Sequence, residues 1–432
     1  MFEMSQIRNY FDVGSNNNKR VETTTMQSNK LRMAIRATAA ATVLGMSAQA
    51  SAVNFNAGDY ELSLYGYGRL NASYDVDSDQ ALSTRSGSFA DLAGNDDAAD
   101  GHFGADAFQS RIGLTTVSPE GVKVNVEGDF RGGGGGSLRL RHAYGEYRGV
   151  LMGQTWSNFN SFVGNTSTLD FDSLPGLAGL QGRVAQARYT TGPFSVSLED
   201  PQASLIGASV SSGGTPVLDG GGNQALDANG DPVFVGRTTT STQKDSMPAL
   251  TARMEDSAGG LSYSAAVLAH QIGFDDGTND DTAFGFATFV AAKMALTDMI
   301  TIQGTLSYTD GANSFLYRSG ENFGAASGYV NGNNLETISG YGGSVGAGLN
   351  LGGGRSINIG YGYVEVDWDD AVDDGIDVAD QSEKNQAVMA NYKWTPVKNV
   401  MMGVEYQFLK RENVDGTDGD ASRILFAAQY NF

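Results

Sequence analysis

A period of two at both ends of the chain limits its fold more than any other feature. From Glu61 to Tyr74, the residues Leu62, Leu64, Gly66, Gly68, Leu70, Ala72 and Tyr74 alternate with Ser63, Tyr65, Tyr67, Arg69, Asn71 and Ser73. The last segment repeats the pattern, with Ile424, Phe426, Ala428, Tyr430 and Phe432 on one face and Arg423, Gln429 and Asn431 on the other. Successive side chains of a strand point to opposite faces, so one face of each segment suits lipid and the other water. After residue 52 no window reaches the roughly 18 consecutive apolar residues of a membrane helix, which excludes a helical inner-membrane protein. A secreted soluble β protein or a barrel remains, because barrel strands cross a bilayer with about 9–11 alternating residues.

Between the terminal strands, further strands are read near 108–117, 122–131, 137–147, 150–157, 183–191, 194–199, 247–256, 261–271, 283–296, 300–309, 339–351, 355–366, 384–394 and 400–410, sixteen in all. Their connections take turns between short ones, such as Arg148-Gly149 and Gly192-Pro193, and mostly long polar ones. That asymmetry belongs to an all-β transmembrane antiparallel barrel with short periplasmic turns and long outer loops, and a sandwich or propeller has no reason to keep it. Aromatic residues cluster near strand ends on the apolar parity: Tyr74, Tyr144, Tyr263, Tyr308, Tyr361, Tyr363, Tyr392, Trp394, Tyr406, Phe408, Tyr430 and Phe432. Ordinary β-propensity would also enrich them. It would not place so many on both rims of a lipid-facing surface.

Lys30, Arg32 and Arg36 precede the small apolar run from Ala37 to Met46, which ends in Ser47-Ala48-Gln49-Ala50-Ser51-Ala52. This order reads as a secretory signal cleaved after Ala52, with Met26 as the conventional start, so residues 1–52 are an N-terminal extension and signal and 53–432 a single barrel domain. The mature chain carries 22 basic and 46 acidic residues. An acidic surface argues against a nucleic-acid partner. With no Cys and only His102, His142 and His270, neither a thiol nucleophile nor a His-rich metal centre is expected, and no cofactor is implied. Asp227-Ala-Asn229-Gly-Asp231 starts like a calcium loop, but Pro232 replaces the required Gly and Thr238 the required Glu. The run Asp367, Asp369, Asp370, Asp373, Asp374, Asp377 and Asp380 reads as a solvated outer loop, with a divalent-ion bridge to lipopolysaccharide as the alternative. His270 is the one histidine placed for a barrel hydrolase; it sits in no spacing motif, and no enzyme is expected.

Six short motifs in register carry a resemblance: Ser110-Arg-Ile-Gly-Leu114, Glu127-Gly-Asp-Phe130, Leu138-Arg-Leu-Arg-His-Ala-Tyr144, Gly153-Gln-Thr-Trp-Ser157, Thr168-Leu-Asp-Phe-Asp172 and Gln186-Ala-Arg-Tyr-Thr190. In this order they are similar to the DcaP-like trimeric porins, densely over about 60–190, and Tyr430-Asn431-Phe432 resembles the terminal aromatic signal read by the outer-membrane assembly machinery. The resemblance implies a Gram-negative outer-membrane location, a homotrimeric sixteen-stranded porin whose third outer loop folds into the lumen, and a preference for small anions such as dicarboxylates. Lipid bilayer and lipopolysaccharide are its implied surroundings. Two departures stand out: the mature residues begin almost at the first strand, leaving no room for an N-terminal coiled coil, and Gly132 to Gly136 shorten the second outer loop.

Strand parity assigns faces independently. It turns Arg69, Arg111, Arg139, Arg141, Arg188, Arg253 and Arg423 into the lumen, with Glu127 and Asp129 as acidic partners, and puts His142 outward. An arginine on the lipid face near the midplane costs about 2–4 kcal/mol, so inward placement alone is unremarkable for a barrel. Their gathering on one wall is not. Asp170 and Asp172, in the connection from Asn158 to Gly182, are expected to face these arginines across the constriction and set a transverse field. On this reading Arg139 and Arg141 face water, and replacing both with Ala leaves folding intact. The leading function is passive diffusion of small hydrophilic solutes with anion preference. Its competitor is a non-conducting barrel that binds a host or phage surface through loops 200–246 and 310–338.

Overall fold

The computed structural model describes residues 52–77, 83–90, 92, 101–212, 215–218, 224, 234–235 and 238–432. The signal segment through Ser51 and the calcium-like run 227–231 lie outside them. The main sheet closes on itself as a sixteen-stranded antiparallel barrel. Its strands are β1 (Tyr60–Asp75), β2 (His102–Asp106 continued by Arg111–Val117), β3 (Lys123–Gly132), β4 (Ser137–Tyr147), β5 (Val150–Trp156), β6 (Arg183–Thr191), β7 (Phe194–Glu199) and β8 (Ala249–Ala258). The circuit continues with β9 (Leu261–Asp275), β10 (Asp280–Ala295), β11 (Ile300–Asp310), β12 (Ser339–Gly352), β13 (Arg355–Val366), β14 (Ser382–Val397), β15 (Val400–Asn413) and β16 (Asp418–Asn431). β1 and β16 close the ring, with Gly68 opposite Tyr430 and Asp75 opposite Arg423. Below that pairing a segment absent from the sequence reading, Val53–Ala57, folds back on β1 and continues the line that β16 leaves at Phe432.

Closure follows from the solvent. In hydrocarbon no water can satisfy backbone N–H and C=O groups, so every strand needs two neighbours. The period-2 pattern then sorts the faces: Leu70, Ile112, Leu138, Leu140, Val267, Leu306, Val345 and Ile359 are exposed on the outside, while Asn71, Ser73, Asn125, Thr251, Thr305 and Asn391 are buried inside. Parity fails within β4. Glu127 pairs with His142 but Gly128 pairs with Leu140, so Arg141 is an extra residue on β4. This β-bulge turns Arg141 and His142 inward together and reverses the faces beyond it. His142 is therefore buried in the lumen, and Tyr144, opposite the buried Asn125, faces inward beneath the Lys123 ammonium instead of outward to lipid.

The lumen is filled from the long-loop end. Outer loop L3 (157–182) lays Phe159, Val163, Leu169, Leu174 and Leu177 against the barrel wall, each buried. Glycines on that wall make the approach possible. A Cβ on Gly403 would come within 2.8 Å of Leu169, one on Gly360 within 2.7 Å of Leu174, and one on Gly362 would strike the Pro175 carbonyl. L3 is pinned there by Leu169 and Asp170 amides donating to Glu405 (2.7 and 2.9 Å), by Asn391 donating to the Ser167 carbonyl (2.8 Å), and by Thr305 donating to the Gly176 carbonyl (2.5 Å). Gly362→Val should push L3 off the wall while the barrel still forms. Limited proteolysis should then cut within 158–182, and single-channel conductance should rise; unchanged protection and conductance would show that L3 is not seated by this contact.

Candidate functional site

The bulge on β4 builds the densest charge cluster in the lumen. Arg139 grips Asp129 in two-point fashion, Nε to Oδ1 at 3.0 Å and a terminal nitrogen to Oδ2 at 2.8 Å. Arg141 donates to Glu127 at 2.9 Å and to Asp129 at 3.0 Å, Arg111 lies 3.2 Å from Glu127, and Tyr65 donates to the other Glu127 oxygen at 3.1 Å. Such fixed guanidinium forks suit carboxylates, and their pairing is what permits burial. Arg141 is 1% exposed and Arg139 30%, so only Arg139 meets the water column appreciably. Cations and rings alternate through the cluster: Arg85 and Arg141 lie over Phe171 at 5.1 and 5.2 Å, and Arg141 and Arg183 over Trp156 at 5.9 and 4.6 Å. Each contact adds a modest attraction that grows with desolvation.

Asp170 and Asp172 do not stand free across the lumen from these arginines. Asp170 is buried and accepts from the amides of Gly87 (2.9 Å), Asp172 (2.8 Å) and Ser173 (3.0 Å). Burial pushes its carboxyl up, and the nearby Arg318 charge opposes that rise in part. Asp172 is taken by Arg85 (2.9 Å) and the Ser86 hydroxyl (2.7 Å). Both acids thus tie L3 to the described part of the first outer loop, residues 83–90. A third loop joins them: the fully buried Arg318 donates to the Ser173 and Gly87 carbonyls, and Tyr317 donates to the Asp172 carbonyl at 2.8 Å. Asp170 and Asp172 thus serve as struts of the loop knot, with Asp172 ion-paired to Arg85.

The remaining predicted arginines divide by partner. Arg423 is fully buried against Asp75 (3.3 Å) and the Ser83 carbonyl (3.0 Å). Arg69 bonds Asn71 (2.8 Å) and the Leu169 carbonyl (2.6 Å). Arg253 donates to the Asn160 carbonyl, and Arg188 is half-buried near it. Among the described residues, no carboxylate lies within 4.0 Å of Arg183, Arg188 or Arg253.

The family model described as DcaP outer membrane protein matches residues 27–195, the stretch that holds this arginine wall and L3. The crystal structure of the outer membrane channel DcaP of Acinetobacter baumannii is similar at TM-score 0.70 and 27% identity, covering 88% of this chain and 100% of that one. The chain is thus similar over residues 27–195 to the DcaP outer membrane protein family, and its barrel resembles the DcaP channel. Salmonella typhi OmpF in complex with daunomycin matches at TM-score 0.50 and 11% identity, covering 88% and 100%, a likeness of fold alone. An anion-selective porin from Comamonas acidovorans matches at TM-score 0.49 and 13% identity, covering 86% and 100%. Comparison with curated protein sequences gives no match. By its fold and these likenesses the protein is an outer-membrane, porin-like channel.

Sequence periodicity does not single out Arg183, Arg85 or Arg318. Arg183 opens β6 on the parity opposite to Arg188, where alternation alone points it outward; its ring contact with Trp156 turns it in. Arg85 and Arg318 lie in loops, which have no periodicity to read. Tyr430 and Phe432 sit exposed on the outer face, with Phe432 bonded to Gly66 at the barrel seam. His270 is buried against the Gly311 carbonyl (2.8 Å) and Phe315. The acidic run from Asp367 is exposed around the short helix α1 (Asp369–Asp373), which packs inward through Trp368 and Ala371. Because Arg141 is buried, Arg141→Ala leaves Glu127 and Asp129 short of a cation and should lower unfolding stability by about 3 kcal/mol or more. Arg139→Ala should cost clearly less. Denaturant titrations of the folded barrel test the order, and adding Glu127→Gln to Arg141→Ala should recover part of the loss.

Proposed function

We propose that this protein lets small hydrophilic solutes diffuse passively across the outer membrane, with preference for small anions such as dicarboxylates, and that it works as a homotrimer delivered by the signal in residues 1–52. The observation that carries the anion preference is the unequal occupancy of lumen charges. Arg183, Arg188 and Arg253 hold no carboxylate, whereas four lumen acids already have several donors: Glu127 and Asp129 from arginines, Glu199 from Ser157, Asn158 and Ser197, and Glu405 from two L3 amides, Asn391 and Gln407; Glu255 accepts from Ser161. A solute passing this wall meets guanidinium donors with room for an acceptor, and at Glu127, Asp129, Glu199 and Glu405 carboxylates that are already occupied. The likeness to the DcaP outer membrane channel, the barrel fold and the terminal Phe432 support the location. The trimer rests on resemblance to trimeric porins. The surface-binding alternative loses much of one loop, since Leu316, Arg318, Ser319, Ala325 and Ala326 are buried inside the barrel.

Two fields compete in selectivity. The acidic outer loops repel anions at the vestibule but are screened beyond about 8 Å at physiological salt. The lumen arginines act beside a low-dielectric wall and are screened less. Reversal potentials should therefore show a weak anion preference that grows with salt; cation preference at every ionic strength would end this account, and absence of stepwise conductance would leave only surface binding. Arg183→Ala combined with Arg188→Ala should reduce liposome swelling by a small dicarboxylate several-fold while a neutral sugar of similar size enters as fast or faster. Equal changes for both solutes would reduce these arginines to structural parts.

A further inference from the structure

Across the lumen from the arginine wall, at the short-turn ends of β10 to β13, L3 roofs a cavity of about 150 Å³. Pockets for drug-sized ligands run about 300–1,000 Å³, so this one fits a solute of few heavy atoms. Its polar lining is amide and hydroxyl, including Asn165 from L3 and Gln303, Asn350 and Asn358 from the wall, and Lys293 is its single charged residue. Among the described residues the exposed Lys293 ammonium has no ion pair or hydrogen bond. The Asn165 Oδ1 is buried without a partner. Asn358 spends its Nδ2 on Ser356 (3.3 Å) and Asn391 (2.9 Å), which leaves its Oδ1 as an acceptor, and Gln303 reaches only Thr166 at 3.4 Å.

The ligand follows from what these groups lack. The ammonium calls for a carboxylate, but amide oxygens accept hydrogen bonds and need a donor on the solute. A plain dicarboxylate at neutral pH brings acceptors only. We propose that this cavity is a solute subsite for a small hydroxy-carboxylate, held by Lys293 through its carboxylate and by Asn165 and Asn358 through its hydroxyls. It rests on the channel reading above and narrows its substrate class to hydroxylated acids on the periplasmic side. Sites that hydrogen-bond a solute hydroxyl discriminate against analogues lacking it, because their own polar groups are then left unpaired.

Tartrate and succinate test this, since they share both carboxylates and differ by two hydroxyls. Isothermal titration of the full-length folded protein in detergent needs no transport, so it reads the subsite whether or not the channel conducts. The expected result is tartrate binding at least about fivefold tighter than succinate, the worth of one net hydrogen bond or more. Asn358→Ala with Asn165→Ala should abolish that ratio while leaving succinate unchanged; Lys293→Gln, which disturbs no packing, should weaken both acids alike. Arg188→Ala should slow permeation of both and leave the ratio intact, which separates failure of the anion path from failure of the subsite. Equal affinities in the native protein, or a ratio that survives the asparagine double variant, would overturn the proposal.

Discussion

Everything in this structure depends on the cost of an unpaired backbone group in hydrocarbon. A strand in lipid must find a neighbour on each side, and a sheet whose every strand has two neighbours is a closed ring. Closure fixes the rest of the plan: one face of each strand goes to acyl chains, the other to an interior that the chain must fill with water or with itself. The seam shows how completely the requirement is met. Where β16 ends at Phe432, the Val53–Ala57 segment takes over the lower edge of β1, so the first strand is paired along its length.

The interior is filled by loops, and loops bring their own unpaired groups. Here those groups are answered by side chains of the wall and of other loops. Glu405 takes two amides of L3, Asp170 takes three amides from the first outer loop and L3, and Arg318 takes carbonyls from the same two loops. Glycine at wall positions such as 360, 362 and 403 lets the loop backbone lie close enough for these bonds to form. The knot thereby decides which charges remain for solutes. Asp170, Asp172 and Arg423 are consumed as struts, and Glu127 and Asp129 are consumed by Arg111, Arg139 and Arg141. What is left over is cationic on one wall and neutral polar, with one lysine, on the other.

Strand positions and faces were legible because the pleat repeats every two residues and lipid tolerates no error in it. Leu70 against Arg69, or Ile424 against Arg423, can be assigned from the sequence with no structure at all. His142 and Tyr144 were misassigned because a bulge inserts one residue into β4, and nothing in Leu138-Arg-Leu-Arg-His announces it: arginines at 139 and 141 continue the alternation right up to the break. The pairing of Arg139 and Arg141 with Glu127 and Asp129 was anticipated, since hairpin strands put them opposite one another. That Arg141 is buried was not, because its cover comes from Phe171, a residue of L3 thirty positions on.

The sequence by itself determined the barrel, its strand count and the inward arginines, since alternation is a local property that a single strand displays. Only the tertiary structure decided which of those arginines can meet a solute. That depends on contacts between loops far apart in the chain, Arg85 with Asp172 and Arg318 with Ser173 and Gly87, and the closing of the barrel is what brings such segments within hydrogen-bonding reach.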